Sequence, residues 1–89
     1  MNKNDRDNIR GIISHLNHFK NFGFWSNLDD FKCLLNETIK HLNSTVNNLF
    51  ENELAVGHIE EIISHVDKNR YESDSELLAD DIRSLENYL

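Results

Sequence analysis

An all-α fold, a single antiparallel bundle of about four helices, follows from three features of the sequence. Apolar residues recur at helical spacing almost throughout. There is no proline, and the three glycines stand far apart at positions 11, 23 and 57. Strand signals are missing: no Asn-Gly or Asp-Gly pair lies between alternating apolar runs. The 89 residues make one domain, 1–89, with no room for a second core. A chain this short buries only roughly 60–65% of the surface its unfolded form exposes, so the core is thin. Amphipathic helices joined by short loops then pack antiparallel.

The first helix is expected over about residues 5–22. Asn4 or Asp5 caps it, and Asp7 lies in the first turn, where negative charge suits the helix dipole. Ile9, Ile12, Ile13, Leu16 and Phe19 form one apolar stripe. Gly11 lies within that helix, marking either a close neighbour or a suboptimal residue, and Gly23 is the natural stop. The second helix spans about 27–43, opening at Ser26 or Asn27, with Leu28, Phe31, Leu34, Leu35, Ile39 and Leu42 as its stripe. The polar run Asn43-Ser44-Thr45 weakens it, but Val46 and Leu49 keep the phase, so an end near residue 50 stays open. A third helix covers about 53–68, with Asn52 as a cap and a stripe of Leu54 or Ala55, then Ile59, Ile62, Ile63 and Val66. Residues 69–72 read as a loop. Ser73-Asp74-Ser75-Glu76 is an S-x-x-E capping box, and opens a fourth helix over about 74–88 with Leu78, Ile82, Leu85 and Leu89 inward.

Composition excludes several classes. The polar start Met1–Asp7 lacks the apolar region of a signal peptide, and no stretch approaches the ~20 apolar residues of a membrane span. The expected location is the cytosol. Cys33 is the only cysteine, which rules out an internal disulfide; on an apolar helical pattern it reads as a small buried hydrophobe. His15 and His18, and His58 and His65, flank apolar stripes but lack the closed ligand spacing of a zinc site. No phosphate loop, nucleophile elbow or zincin motif occurs, so neither enzymatic chemistry nor a cofactor is expected.

Charge is the informative quantity. Net charge is −7, and residues 51–89 carry eleven acidic against three basic side chains. Such a field repels nucleic acid and anionic membrane and attracts basic proteins. The candidate partner-binding set is therefore Glu53, Glu60, Glu61 and Asp67 on the third helix and Asp80, Asp81 and Glu86 on the fourth. If those helices are neighbours, their polar faces merge into one negative surface, although Arg83 is spaced to pair with Asp80 or Glu86. Trp25, in the aromatic run Phe22-Gly23-Phe24-Trp25, either closes one end of the core or serves as a buried interface anchor; Tyr71 is a second anchor candidate.

The pieces Asn52-Glu53-Leu54-Ala55 and Ile59-Glu60-Glu61-Ile62, followed by the capped Ser73–Leu89 segment, resemble the small all-helical immunity proteins of polymorphic bacterial toxin systems. These include contact-dependent growth inhibition and Maf-type systems. The resemblance covers the second half of the chain, and Gly57 departs from it, because such families place alanine or a larger residue there. It implies a cytosolic protein that binds one cognate toxin, often a nuclease, and covers its basic active site with carboxylates standing in for phosphates. Two other readings stay open: a phage-encoded or other charge-mimicking inhibitor of a nucleic-acid-binding protein, and a helical adaptor that homodimerises through a leftover apolar face.

Overall fold

The computed structural model describes residues 1–89. It contains no strand and five helices: α1 (Lys3–Phe22), α2 (Leu28–Ser44), α3 (Leu49–Asp67), the single turn α4 (Arg70–Ser73) and α5 (Ser75–Glu86). The four long helices form a ring. Both α1 and α3 pack against α2 and α5, so α1 and α3 sit diagonally across the bundle. Side-chain links fix the directions. Thr45, just beyond α2, donates to Asp5 at the start of α1 (3.1 Å). Lys32 near the start of α2 pairs with Asp67 at the end of α3 (3.0 Å). His58 at the middle of α3 meets Tyr88, just past α5 (3.1 Å), and His65, seven residues later, meets Asp81, seven residues earlier (2.8 Å). Neighbouring helices therefore run antiparallel, as the short connections require.

The helix ends correct several sequence expectations. Asn2, and neither Asn4 nor Asp5, caps α1: it stands in extended backbone and its side chain accepts the Asp5 N–H (2.8 Å). Asp5 thus moves into the first helical turn, where its side chain is buried against Thr45. Gly23 ends α1 in the left-handed conformation (φ 73°), where its missing Cβ avoids a steric penalty, and its N–H returns to the Phe19 carbonyl. Asn27 caps α2 by accepting the Asp30 N–H (3.1 Å).

The second helix stops at Ser44 and does not reach residue 50. The Ser44 hydroxyl donates to the His41 carbonyl (2.8 Å), and Thr45, whose one hydroxyl proton is engaged by Asp5, ends the helix in extended backbone. Asn48 then turns in the left-handed region (φ 59°) and α3 starts at Leu49, four residues before the expected Glu53. Asparagine is among the few residues that tolerate this conformation. Asn52 consequently is not a cap. It lies buried inside α3 and donates its Nδ2 to the Leu42 carbonyl (3.3 Å), which also accepts the Thr45 N–H where α2 ends. At the far end, residues 69–72 are not an open loop, because Arg70–Ser73 wind into α4 and bury Tyr71. That turn displaces the cap of α5 from Ser73 to Asp74, which accepts the Leu77 N–H (3.0 Å), while the Ser73 hydroxyl donates to Arg70.

The expected stripes supply the core. Ile9, Ile12 and Leu16 of α1, Phe31 and Leu35 of α2, Ile59 and Ile62 of α3 and Leu85 of α5 are almost fully excluded from water. Leu28 and Leu89 are exposed, so they mark where the α2 and α5 stripes leave the core. Gly11 faces a close neighbour: a Cβ there would lie 3.2 Å from the Leu34 side chain, so α2 packs closely on α1 at this point. Cys33 is exposed, contrary to the buried position its apolar neighbours suggested. It precedes the half-buried Leu34 and falls on the outer side of α2, away from Phe31 and Leu35.

Candidate functional site

Helix α3 sets most of the candidate site. At about 100° per residue, Asn52, Ala55, Ile59 and Ile62 share one side, which is buried, and Phe50, Glu53, Leu54, Gly57, Glu60 and Glu61 share the other. Glu53, Glu60 and Glu61 are exposed. None of the three forms an ion pair with a cation of this chain. Their carboxylates are therefore fully hydrated and available on a rigid helix.

The other acidic candidates divide. Asp67 pairs with Lys32 (3.0 Å) and Asp80 with Arg83 (3.4 Å), both at exposed positions where such pairs add little stability. Glu86 is exposed on α5, five residues and so about 140° round the helix from Asp81, on a different face. The two helices are neighbours, yet their acidic residues do not all merge into one surface. The continuous part is the outer face of α3.

Asp81 belongs to the interior. Its carboxylate accepts from the Tyr71 hydroxyl and from His65 Nδ1 (2.8 Å), joining α5, α4 and α3 at one point. A carboxylate can only accept, so a hydrogen bond from His65 here needs the tautomer that carries its proton on Nδ1. Tyr71 is likewise committed to the fold, with its ring beside His65 and Phe19. Two sequence-predicted partner residues, Asp81 and Tyr71, are thus mutual partners with little surface to offer.

This network has a pH signature. Burial, then the hydrogen bond and charge of Asp81, push the Tyr71 phenol well above its ordinary value of 10.0. The Tyr88 phenol is also pushed up, first by burial and then by the charge of Glu51. Below pH 10 both folded and unfolded chains keep these protons, and the contribution to stability is complete. Above it the unfolded chain ionises first, so stability falls as pH rises. For the buried Tyr71 the slope approaches about 1.4 kcal/mol per pH unit once the unfolded phenol is ionised. Tyr71→Phe is expected to remove that share of the slope between pH 10 and 11, measured by urea unfolding at successive pH values. An unchanged slope would show that the Tyr71 hydroxyl is not protected.

Trp25 resolves towards the core. It is half-buried and stacks on Phe19 (centroids 4.8 Å) and Phe31 (4.4 Å), closing the end of the bundle where α1 passes into α2. Phe22 and Phe24 beside it remain exposed and hold the His18 ring between them. Sequence reasoning missed a second exposed apolar group at the opposite end: Val46, Leu49, Phe50 and Leu54. The signal was present in Phe50 and Leu54, which stand one turn apart outside the Ala55-Ile59-Ile62 phase.

No three or more His, Cys, Asp or Glu side chains converge to hold a metal ion. The two concavities are shallow. One, of about 200 Å³, lies between the end of α1 and the start of α5 beside Phe19 and Tyr71. The other, of about 280 Å³, lies beside Asn2, Thr45 and Asn48. No helix is long and apolar enough to cross a membrane. Searches of protein-family models, curated proteins and solved structures find no match to the chain.

Proposed function

We propose that this protein is a binding protein that inhibits a basic macromolecular partner, with a cognate nuclease-type toxin as the leading target and catalysis no part of its role. The observation that carries the reading is the unpaired, exposed set Glu53, Glu60 and Glu61 on the outer face of α3. Carboxylates fixed along a helix can occupy phosphate-binding positions in a basic cleft without being displaced by internal cations. Complementary charge also speeds encounter and disfavours wrong partners. The resemblance of Asn52–Ile62 to immunity proteins supports the same reading, and the cytosol is the compartment where such a protein acts.

The test is capture of partners from a lysate of the source organism, followed by a cleavage-protection assay with the captured protein. A stoichiometric partner with a basic nuclease domain, inhibited by this protein, is the expected result; a bait that retains only itself, or that leaves cleavage untouched, refutes the proposal. Association should slow steeply as salt rises, because exposed charges beyond about 10 Å are screened at 0.1 M ionic strength. Glu60→Lys with Glu61→Lys should weaken binding at least about tenfold, about 1.4 kcal/mol, with helicity unchanged by circular dichroism. A salt-independent on-rate would argue for apolar recognition alone.

A further inference from the structure

The outer face of α3 combines two features that the fold does not need. Phe50 is 76% exposed and Leu54, one turn on, 45% exposed, with Val46 and Leu49 open beside them. Removing such side chains from water is favourable, and nothing in this chain covers them. Gly57 is the second feature. It lies mid-helix at the centre of the outward arc, its φ is not positive, and a Cβ there would meet no atom within 4 Å. Neither conformation nor internal packing calls for glycine, although an alanine would suit the helix better. Gly11 contrasts with it, since there a neighbouring helix fills the space.

The two features lie within two turns of each other, and α3 itself carries no lysine or arginine. No lysine or arginine occurs between Lys40 and Lys68, whereas Glu51, Glu53, Glu60 and Glu61 all do. A second copy of this chain would set those glutamates against their own counterparts at a net charge of −7 per molecule. The complementary occupant is cationic and apolar at once. A bare backbone at Gly57 admits another helix to close distance, with Phe50 and Leu54 covered by its apolar stripe.

We infer that the outer face of α3 is a docking surface for a cationic amphipathic helix of the partner: Phe50 and Leu54 bury against its apolar stripe, Gly57 is the point of closest approach, and Glu53, Glu60 and Glu61 meet its lysines and arginines. This rests on the reading of α3 as the binding side of an inhibitor, and names the structural class that it receives.

The test uses the full chain and two probes: a helical leucine–lysine peptide of about five turns with its leucines on one face, and an oligolysine of equal charge. The expected result is binding of the amphipathic peptide, with amide shifts in NMR spectra centred on residues 50–61. Phe50→Ala with Leu54→Ala, and separately Gly57→Gln, should each weaken that peptide about tenfold while oligolysine binding stays unchanged. Gly57→Gln should also raise the unfolding midpoint, so its loss of affinity cannot come from a damaged fold. Equal peptide affinity in all variants, with oligolysine still bound, overturns the docking surface and leaves the acidic inhibitor reading standing. If neither probe binds, both fall. A dimer in sedimentation that Phe50→Ala dissolves makes a second copy the occupant, and the inference is wrong.

Discussion

Phe31→Ala should destabilise the protein by about 3–5 kcal/mol, the largest loss expected from any single substitution here. Phe31 has no solvent exposure, and its ring is stacked by Trp25 at 4.4 Å and by His15 at 5.0 Å. Truncation removes transfer free energy and opens a cavity between α1 and α2. Partial collapse is hindered because Gly11 and Leu34 already bring those helices close. Domains of this size have total stabilities of order 5–15 kcal/mol, so the variant stands near the folding threshold. The measurement is urea unfolding followed by circular dichroism, with an expected fall in midpoint at constant m-value. A loss below about 1 kcal/mol would mean that the neighbouring rings refill the site, a small cavity cost in place of the one argued here.

Asp81→Ala should cost about 2–4 kcal/mol, for a different reason. The substitution removes little apolar contact, but it strips the Tyr71 hydroxyl and His65 Nδ1 of their common acceptor. Both donors are then left where water reaches poorly, and an unsatisfied buried group costs more than a hydrogen bond normally contributes. Since three helices meet at this carboxylate, the loss should appear first as weakened docking of α4 and α5. Hydrogen exchange is the suitable readout, with amides of residues 70–86 expected to lose protection more than those of α1. The double variant Asp81→Leu with Tyr71→Phe, which removes acceptor and donor together, should recover part of the deficit. Uniform loss across all helices would instead place the network in the global folding unit.

The two predictions separate what could be read from the sequence and what could not. Phe31 was legible, because Ile9 to Phe19 and Phe31 to Leu42 repeat at helical spacing and any compact arrangement buries them. The stripes of α1 and α2 needed no knowledge of their neighbours. Asp81 was not legible. Its place in the series Asp80-Asp81-Glu86 suggests a solvated face, and only the winding of residues 70–73 into α4 delivers Tyr71 to it. Asn52 was misread for a similar reason: a cap and a buried helical donor look alike until the end of α2 is known. On α3, Glu53, Glu60 and Glu61 were legible as exposed charges, whereas Phe50 was hidden by a helix start assigned four residues late. Helix starts depend on one or two backbone angles, here the left-handed Asn48, and such choices leave almost no trace in periodicity.

Trp25 is the only tryptophan, and its place between Phe19 and Phe31 makes it a natural optical gauge. It sits at one end of α2 and Phe50 lies beyond the other, about 25 Å away by helix rise. Its emission should redden when the bundle opens, since the stacked rings separate and water reaches the indole. A ligand seated on the outer face of α3 should leave that emission unchanged. The molecule thus carries its own internal standard, in which colour reports integrity while any change elsewhere reports occupancy.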